Sequence, residues 1–534
     1  MEMGKTSATG SFQLLIGNAV SSIILAVGTI VVGIFIFEDA YGLYAVALIP
    51  ATTMLLFQDW GIASAMTKYC AQYRATNKRG ELRKTLLAGL TFASGSGAML
   101  MVILLLMANF IATAIFGKPD SAFLIALAAL TVLSAGLLQW SQSVLVGFER
   151  MGLNSIVLIC RAVAQGISMP LLVYLGYGAM GAIAGYTFSI IIASIIALFI
   201  FYFEIFRKLP KDATVKSTLL QTLKPLLAYG VPLAFANIVG GALPQFSSFI
   251  MASLVDNATI GSYRIATNFS ILLTFLTFPI STVLFPAFSK IDPQKEPELL
   301  KTLFTSSVKY TAILLIPATM AMMVLSQPLV STIYGNKWLL APSFLTLYVL
   351  SNIFAIFGNL SLGSLLFGLG ETKLLMKLSL LTLSIGVPMA ILIIPPLGVF
   401  GVILVTVFAG VPSMCIGLSW IWKKYGAKTD FYNSAKIFIA SSIAAAVTYL
   451  FVAVLNAANW ILLVVGGVLF LAIYLAIAPV VGAINHADIY NIRAMFSSLG
   501  LVSKIIEIPL VIMQKILRLR SILTNKRSLP LKNL

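Results

Sequence analysis

The sequence predicts an all-α polytopic membrane protein, and its composition, the length of its apolar runs and the placement of its charges all lead to that fold class. Of the 534 residues, 60% are hydrophobic and only 10% are charged, and the mean hydropathy is +1.01. Soluble domains carry about 25% charged residues, and disordered chains combine high charge with low hydrophobicity. The composition therefore excludes both classes.

Apolar runs of about 20 residues, the length that a transmembrane helix needs, recur along the chain. We predict fourteen transmembrane helices from them. Several neighbours are joined by only a few residues and should form helical hairpins, because backbone groups within lipid must be hydrogen-bonded inside a helix. The predicted ranges are 12–37, 41–65, 85–116, 121–146, 153–175, 178–203, 226–254, 258–287, 308–334, 342–368, 374–394, 398–421, 434–455 and 460–484.

The net charge of +18 would by itself suit nucleic-acid binding, but the basic residues lie in loops between the apolar runs. With the N-terminus in the cytoplasm, they cluster after the second, sixth, eighth and twelfth helices, whereas the outer loops hold only Lys118 and Lys337. This alternation follows the positive-inside rule. It predicts a plasma-membrane protein with both termini in the cytoplasm and no nucleic-acid partner.

The two halves of the chain resemble each other at an offset of about 220 residues. Gly147-Phe-Glu149 matches Gly368-Leu-Gly-Glu371, and the Gly-Ala-Met-Gly run at 178–181 matches Gly-Val-Phe-Gly at 398–401. Six predicted helices separate these positions, so orientation is preserved and we predict two parallel six-helix repeats around a central cavity, as in transporters. The predicted domains are an N-terminal six-helix lobe (10–205), a C-terminal six-helix lobe (225–422), two additional helices (434–485) and a cytoplasmic tail (486–534).

The tail carries eight basic residues among Ile, Leu and Val. Its apolar stretch 499–513 is short and contains Lys504 and Glu507, which argues against a fifteenth transmembrane helix. We predict a basic amphipathic tail that binds anionic membrane lipids. The alternative is a basic tail without a function.

The chain offers little for covalent or metal chemistry. Cys70, Cys160 and Cys415 lie far apart and form no CxxC motif, so we expect neither a metal site nor a disulfide, and no cofactor. The single histidine, His486, lies near the tail, so it does not supply a general base inside the membrane. We predict no catalytic residue and a protein that is not an enzyme.

Motifs near the N-terminus resemble those of a known transporter family. They are Phe-Glu-Asp-Ala-Tyr-Gly-Leu-Tyr-Ala at 37–45, Asp59-Trp-Gly61 and the basic turn Lys68-Tyr-Cys-Ala-Gln-Tyr-Arg74. With the Gly147–Gly181 block and its counterpart Gly368–Gly401, they resemble the Wzx-type oligosaccharide flippases of the multidrug/oligosaccharidyl-lipid/polysaccharide exporter superfamily, over roughly residues 10–485. The resemblance implies two six-helix lobes with two C-terminal helices, and movement of a polyprenyl-linked saccharide from the cytoplasmic to the outer leaflet. The long basic tail departs from the minimal family pattern.

An ionisable residue at the bilayer centre costs roughly 2.5–3.5 kcal/mol on insertion scales, so each one needs a reason. Arg161 lies near mid-depth of the fifth predicted helix, and Arg264 about six residues inside the outer end of the eighth. Two such cations without a carboxylate nearby in sequence suit an anionic guest such as a pyrophosphate headgroup, which arginine can bind with two parallel hydrogen bonds. The alternatives are a structural ion pair for Arg161, and an outward reach to Asp256 or solvent for Arg264.

Amides in the predicted helices are candidates for binding sugar hydroxyls, although amides also join neighbouring helices. They are Asn18, Asn237, Gln139 and Gln245, with Gln142 and Gln165 beside them. Asp59, Lys68 and Asp39 are candidates for ion coupling or gating. The alternative for Asp59 is that it orders the end of its helix, with Lys68 as an ion-pair partner.

Three functions compete. The first is a flippase that moves a polyprenyl-linked (pyro)phosphate oligosaccharide by alternating access for surface polysaccharide export, beside other glycan-assembly membrane proteins. The second is a cation-coupled multidrug exporter of the same superfamily, which needs intramembrane carboxylates, yet the first and seventh predicted helices contain none. The third is a membrane glycosyltransferase or polymerase, which needs catalytic groups in exposed loops, and the outer loops are only a few residues long. The sign of the buried charge favours the flippase.

Overall fold

The computed structural model describes residues 2–210, 218–274, 287–496 and 507–518, together with residues 276, 284 and 503. Every regular element in these ranges is helical, and they contain no strand. Within this described part of the chain, eleven helical stretches are long and apolar enough to cross a membrane, or twelve when one bent pair counts as a span. The protein is therefore an all-helical, multi-pass membrane protein, as its composition predicts.

The chain divides into two compact units, of which the first comprises Met1–Asn268 and Leu383–Val405. Short π-helical turns close two of its helices, at Ile111–Ile115 and Val173–Tyr177. Up to Phe269 its helices are α1 (Glu2–Phe35), α2 (Glu38–Leu56), α3 (Ile62–Ala75), α4 (Arg79–Phe110), α5 (Ser121–Gly147), α6 (Met151–Leu172), α7 (Gly178–Glu204), α8 (Leu219–Leu254) and α9 (Asn257–Phe269).

One hydrophobic core of the first unit lies where α3, α4, α5 and α7 meet. Trp140 is 2% exposed and packs edge-on against Phe201, with ring centroids 4.8 Å apart. Met66 and Leu86 are fully buried beside them. The outward faces of the helices carry exposed residues such as Leu106, which suits contact with lipid because acyl chains are as apolar as leucine.

Helices α6 and α7 form an antiparallel hairpin within the 58-residue stretch Met151–Lys208, where the backbone at Gly176 is not helical. The chain reverses at Gly176 and Gly178, whose φ angles of 91° and 50° suit a residue without a Cβ. Ser168 Oγ donates a hydrogen bond to the carbonyl of Gly185 at 3.1 Å, which joins the two legs. The stretch therefore runs out and back.

The predicted helix 41–65 is broken in the structure, because α2 ends at Leu56 and α3 begins at Ile62. Two consecutive residues in the turn have positive φ, Trp60 at 46° and Gly61 at 76°, which no α-helix accommodates. The second part, α3, is amphipathic and carries Lys68. Asp59 therefore lies in a turn between two helices.

The second unit comprises Phe269–Thr382 and Thr406–Leu534. Ala341–Phe357 and Asn359–Gly368 form the bent pair, at 57°, with the bend at Gly358 (φ 96°). The predicted helix 258–287 and the tail both extend beyond the described residues. The remaining helices, two of which continue into the first unit, are α10 (Pro297–Val324), α11 (Ser326–Tyr334), α12 (Ala341–Val349), α13 (Asn359–Gly368), α14 (Thr372–Leu397), α15 (Val399–Phe408), α16 (Val411–Tyr425), α17 (Phe431–Val454), α18 (Asn459–Val481), α19 (His486–Phe496) and α20 (507–518).

Candidate substrate site

Arg264 lies on α9 with its side chain exposed, and four phenols act electrostatically on its guanidinium. Two of them, Tyr41 and Tyr44, lie one turn apart on α2, are almost fully buried, and have ring centroids 5.6 Å apart. The others are Tyr186 on α7 and Tyr263, next to the arginine itself. An exposed cation near phenols can bind an anionic group, and the half-buried Tyr186 and Tyr263 can offer hydroxyls to a sugar.

In the described part of the chain, Arg264 forms no salt bridge with a carboxylate. Asp256, the partner considered from the sequence, instead accepts the backbone N–H of Thr259 at 2.8 Å and orders the start of α9. Asn268 Nδ2 donates to Tyr41 Oη at 2.9 Å, which joins α9 to α2. The phenols are thus held in place while the guanidinium keeps its charge uncompensated by an acid.

Arg161 lies at the middle of α6, half-buried, on the helix that packs against α1. The two helices run parallel, since Gly17 approaches Ser155 and Gly28 approaches Gly166 so closely that a Cβ would lie 2.5 and 2.8 Å from its neighbour. Among the described residues, the buried Nε of Arg161 has no hydrogen-bond partner. The ion pair considered from the sequence is likewise not found there, so Arg161 is a second intramembrane cation without an acid.

Asp59 and Gln139, both predicted as candidates, line one small cavity of about 10 Å³ together with Gln58 and Trp140. Gln58 Oε1 and Trp140 Nε1 are buried and have no hydrogen-bond partner among the described residues. A water needs about 10–15 Å³ and two or more polar partners. The cavity therefore fits one water that accepts from the indole and donates to the amide.

The Asp59 carboxyl also orders the start of α3, because its Oδ1 accepts the backbone N–H of Ala63 at 2.8 Å. Burial raises the pKa of this carboxyl, and the hydrogen bonds from Ala63 and Gly61 partly oppose that rise. Lys68 is not its ion-pair partner in the described structure. The Lys68 ammonium lies instead over the ring of Tyr229, 3.9 Å from its centroid.

Replacing Asp59 distinguishes capping from ion coupling. We expect Asp59→Ala to lower the free energy of unfolding by about 1 kcal/mol, since it removes the oxygen that accepts the backbone N–H of Ala63 in the first turn of α3, whereas Asp59→Asn keeps an acceptor oxygen and loses little stability. Thermal unfolding of the detergent-solubilised protein measures this difference. If Asp59→Asn is as stable as the parent but loses transport, the carboxylate carries a coupling ion and capping alone does not explain it.

Asp39, the third gating candidate, is exposed at the start of α2 and acts with Asp256 on Lys118. Lys118 Nζ donates to the carbonyl of Val255 at 2.7 Å. Burial lowers the pKa of Lys118, and the two aspartates raise it by a smaller amount. The loop before α5 is thereby attached to the end of α8.

Helix α8 lies antiparallel along α2 and the turn after it, an arrangement that we call the α2–α8 seam. At one end a Cβ on Gly61 would lie 2.1 Å from the carbonyl oxygen of Gly230, and at the other a Cβ on Gly42 would lie 1.7 Å from that of Asn257. Between them, Gln245 Oε1 accepts from Thr53 Oγ1 at 3.0 Å. Backbone meets backbone at both ends of the seam, so only glycine fits there.

The amide candidates are dispersed over several helices. Gln245 joins α8 to α2 in the seam, Gln139 lines the small cavity, and Asn237 is exposed on α8. Asn18 is half-buried on α1. Gln245 thus joins two neighbouring helices, which is the role that the sequence offered as the alternative to binding sugar hydroxyls. The remaining pair, Gln142 and Gln165, are respectively half-buried and buried.

Sequence reasoning missed the phenols and the cavity wall. Tyr41 and Tyr44 have the i, i+3 spacing of one helix face, so the sequence could have predicted that these two phenols lie side by side. Tyr186 comes from a helix far away in sequence, and Gln58 and Trp140 meet only through the packing of α5 on the turn after α2. Contacts between residues so far apart in sequence leave no local sequence pattern from which they could be predicted.

A helical, multi-pass bundle with intramembrane arginines, which have no acidic partner among the described residues, has the architecture of a membrane transporter. Residues 33–342, more than half of the chain, match the family described as polysaccharide biosynthesis protein, and the chain belongs to that family. This match confirms the resemblance to Wzx-type flippases of the multidrug/oligosaccharidyl-lipid/polysaccharide exporter superfamily.

Two curated relatives agree with this placement. The lipopolysaccharide biosynthesis protein WzxC of Escherichia coli strain K12 is 28% identical over 170 residues, which cover 32% of this chain and 34% of that protein. The alignment thus spans only about a third of the relative's length. The stage V sporulation protein B of Bacillus subtilis strain 168 is 24% identical over 501 residues, 86% of this chain and 93% of that protein.

Solved structures share the fold. The lipid II flippase MurJ in an inward closed conformation superposes with a TM-score of 0.71 at 15% identity, covering 88% of this chain and 98% of that one. An inward-facing multidrug resistance MATE family transporter of the same superfamily has a TM-score of 0.61 at 14% identity and covers 77% and 98%. At these identities the likeness shows the fold alone.

Proposed function

We propose that this protein is a flippase that moves a polyprenyl-linked (pyro)phosphate oligosaccharide from the cytoplasmic to the outer leaflet. The observation that carries the proposal is Arg264, an exposed cation without a carboxylate partner among the described residues and walled by tyrosines. A guanidinium binds phosphate oxygens bidentately, and phenols both donate and accept hydrogen bonds to sugar hydroxyls. Arg161 is a second anion contact in this proposal, and Asn18, Asn237 and Gln139 are further polar contacts.

The proposed architecture has fourteen transmembrane helices. The eleven candidate stretches become fourteen when the bent pair counts as one more span, the hairpin in Met151–Lys208 counts as two, and 258–287, described through α9, counts as one. The proposed topology places both termini in the cytoplasm of a plasma-membrane protein. The clustering of basic residues after even-numbered helices supports this orientation.

Two parallel six-helix repeats are part of the proposal, and two turns support them. The N–H of Arg150 donates to the carbonyl of Leu145 at 2.8 Å, and the N–H of Glu371 donates to that of Leu366 at 2.9 Å, at the same offset of 221 residues. The residue before each donor is left-handed, with φ of 58° and 74°. Gly178 and Gly398 form a second such pair, with φ of 50° and 55°. The second pair has an offset of 220 residues, and similar turns at nearly equal offsets are expected of repeats.

In the proposed mechanism, basic cytoplasmic loops raise the local concentration of the anionic headgroup. The headgroup contacts Arg264 and Arg161 while its lipid tail stays in the bilayer. The N-terminal lobe (10–205) then rocks against the C-terminal lobe (225–422), and the α2–α8 seam opens at one end as it closes at the other. Lys118, Asp39 and Asp256 hold one end of the seam in this scheme, and Lys68 with Tyr229 the other. Helices α17 and α18 stay outside the two lobes.

A cation-coupled multidrug exporter is the second candidate, favoured by the fold that the chain shares with a MATE family transporter. Such an exporter must hold cationic drugs, which calls for intramembrane carboxylates. Helix α8 contains no acidic residue, and in α1 the only one is Glu2 at the start of the helix. The charge of the candidate site therefore favours an anionic substrate. WzxC is named as a lipopolysaccharide biosynthesis protein and MurJ as a lipid II flippase, which supports transport as the proposed role in preference to catalysis.

The proposal is tested by deleting the gene in its host and measuring lipid-linked saccharides in each leaflet by mass spectrometry. We expect an intact lipid-linked glycan to accumulate in the cytoplasmic leaflet, with loss of surface glycan because the substrate is no longer moved. Complementation with the parent gene is the control. Unchanged glycans together with new sensitivity to cationic drugs would replace the flippase with the exporter.

A further inference from the structure

The C-terminal segment of this chain is attached to the second unit by a buried ion pair. Lys309 Nζ on α10 lies 2.6 Å from Asp488 Oδ2 on α19, and both side chains are largely buried. Asn491 Nδ2 donates to Tyr310 Oη at 2.7 Å, one residue further along α10. Because a buried ion pair needs both partners, α19 is fixed against α10 rather than loosely tethered.

A second ion pair attaches α20 to α19. Arg493 contacts Glu507 with both prongs of its guanidinium, Nε at 3.0 Å and Nη2 at 2.6 Å. On α20 the residues Leu510, Met513 and Leu517 are at most 7% exposed. Their i, i+3, i+7 spacing places them on one helix face, so this face of α20 is covered by protein.

The opposite face of α20 is apolar as well as basic. Ile508, Val511 and Ile512 are 65%, 36% and 42% exposed, and Lys515 is exposed on the same i, i+3, i+4, i+7 stripe. Arg518 lies at its edge and is also exposed. A helix that buries one apolar face in protein and shows a second one with cations is suited to a boundary between protein and lipid headgroups.

Charge and position identify the occupant of this exposed face. The tail contains two acidic residues, Asp488 and Glu507, and both are in the ion pairs described above, whereas seven basic residues follow from Lys504 onward. Helix α18, a candidate membrane span, ends at Val481, and residues 482–485 bridge at most about 14 Å before α19. The tail therefore begins beside the bilayer surface.

We propose that the exposed face of α20, formed by Ile508, Val511, Ile512, Lys515 and Arg518, docks on the anionic headgroups of the membrane while its other face stays on the second unit. This inference is independent of the transported substrate. Because α20 is joined through α19 to α10, anionic lipid at this face acts on a membrane-spanning helix of the second unit.

The test uses the full chain with Cys70→Ala, Cys160→Ala and Cys415→Ala, to which Ile512→Cys or Met513→Cys is added for an environment-sensitive fluorophore. Each variant is placed in nanodiscs of phosphatidylcholine alone or mixed equally with phosphatidylglycerol. We expect the Ile512→Cys probe to shift to the blue, and to be quenched by spin-labelled lipid, only with phosphatidylglycerol. The Met513→Cys probe, on the buried face, should respond to neither composition.

Charge reversal supplies the matched control. Lys515→Glu with Arg518→Glu should abolish the phosphatidylglycerol-dependent shift, whereas Lys78→Glu with Arg79→Glu, at the exposed start of α4, should leave it unchanged. Equal quenching in both lipid compositions would overturn the requirement for anionic lipid. Shielding without lipid quenching, rising with the number of protein copies per disc, would assign the face to a second copy and overturn the proposal.

Discussion

Arg264→Ala is expected to reduce transport of the lipid-linked saccharide by roughly 10- to 150-fold, with protein level and membrane insertion unchanged. A hydrogen bond to a charged group contributes about 1.5–3 kcal/mol, and each 1.36 kcal/mol is tenfold in rate. Arg264 has no carboxylate partner in the described ranges, so the substitution leaves no buried acidic group without its counter-charge. Export of surface glycan in a deletion strain that carries the variant measures the effect.

The matched control is Arg79→Ala, since Arg79 is exposed at the start of α4 and its Nε donates to Oδ1 of the nearby Asn77 at 3.3 Å. Arg264→Lys should recover part of the activity, because lysine keeps the charge but loses the bidentate geometry. Arg161→Ala should also reduce transport. Normal export by both Arg264→Ala and Arg161→Ala at equal protein level would contradict the assignment of these residues.

Gly42→Ala is expected to stop transport by preventing one end of the α2–α8 seam from closing. The added Cβ would lie 1.7 Å from the carbonyl oxygen of Asn257, and backbone cannot yield as a flexible side chain does. A shift of about 1.4 kcal/mol in the open–closed equilibrium changes populations about tenfold. In a cysteine-free protein carrying Ala40→Cys, labelling by a membrane-impermeant maleimide should therefore be roughly tenfold faster with Gly42→Ala than without it.

Gly95→Ala is the matched control, because a Cβ there meets nothing within 4 Å. It should leave both transport and labelling unchanged. Gly61→Ala obstructs the other end of the seam, against Gly230, and should stop transport without faster labelling of Ala40→Cys. Unaltered transport and labelling in Gly42→Ala would show that this end of the seam does not move during the cycle.

The helical fold was predictable because lipid offers no hydrogen-bond partners, so a membrane-spanning segment must satisfy its backbone groups within a helix. Apolar runs of span length define helices regardless of tertiary contacts, and α5, α17 and α18 begin and end close to their predicted ranges. The break after Leu56 was not predictable, because Trp60 adopts a positive φ that its own side chain disfavours. Tertiary packing against Gly230 fixes that turn.

The candidate site was predictable only in part. Arg161 and Arg264 stand out in the sequence because charge is rare inside apolar helices. Their surroundings do not, since the phenols at 41, 44 and 186 converge on Arg264 from helices far apart along the chain. The charge of Asp59 made it a candidate for ion coupling. Its hydrogen bond with the backbone N–H of Ala63 was not predictable, because it depends on a turn that the hydropathy pattern does not reveal.

The most direct test of the central claim places the purified protein in liposomes that contain a fluorescent polyprenyl-pyrophosphate-linked saccharide in both leaflets. An external glycosidase removes the saccharide from molecules in the outer leaflet, with proton and sodium gradients and a membrane potential applied in separate runs. We expect the inner-leaflet pool to become cleavable with the parent protein under at least one of these conditions, and to do so roughly 10- to 150-fold more slowly with Arg264→Ala. Protection of that pool under every condition, in vesicles that still move a cationic dye, would contradict the central claim.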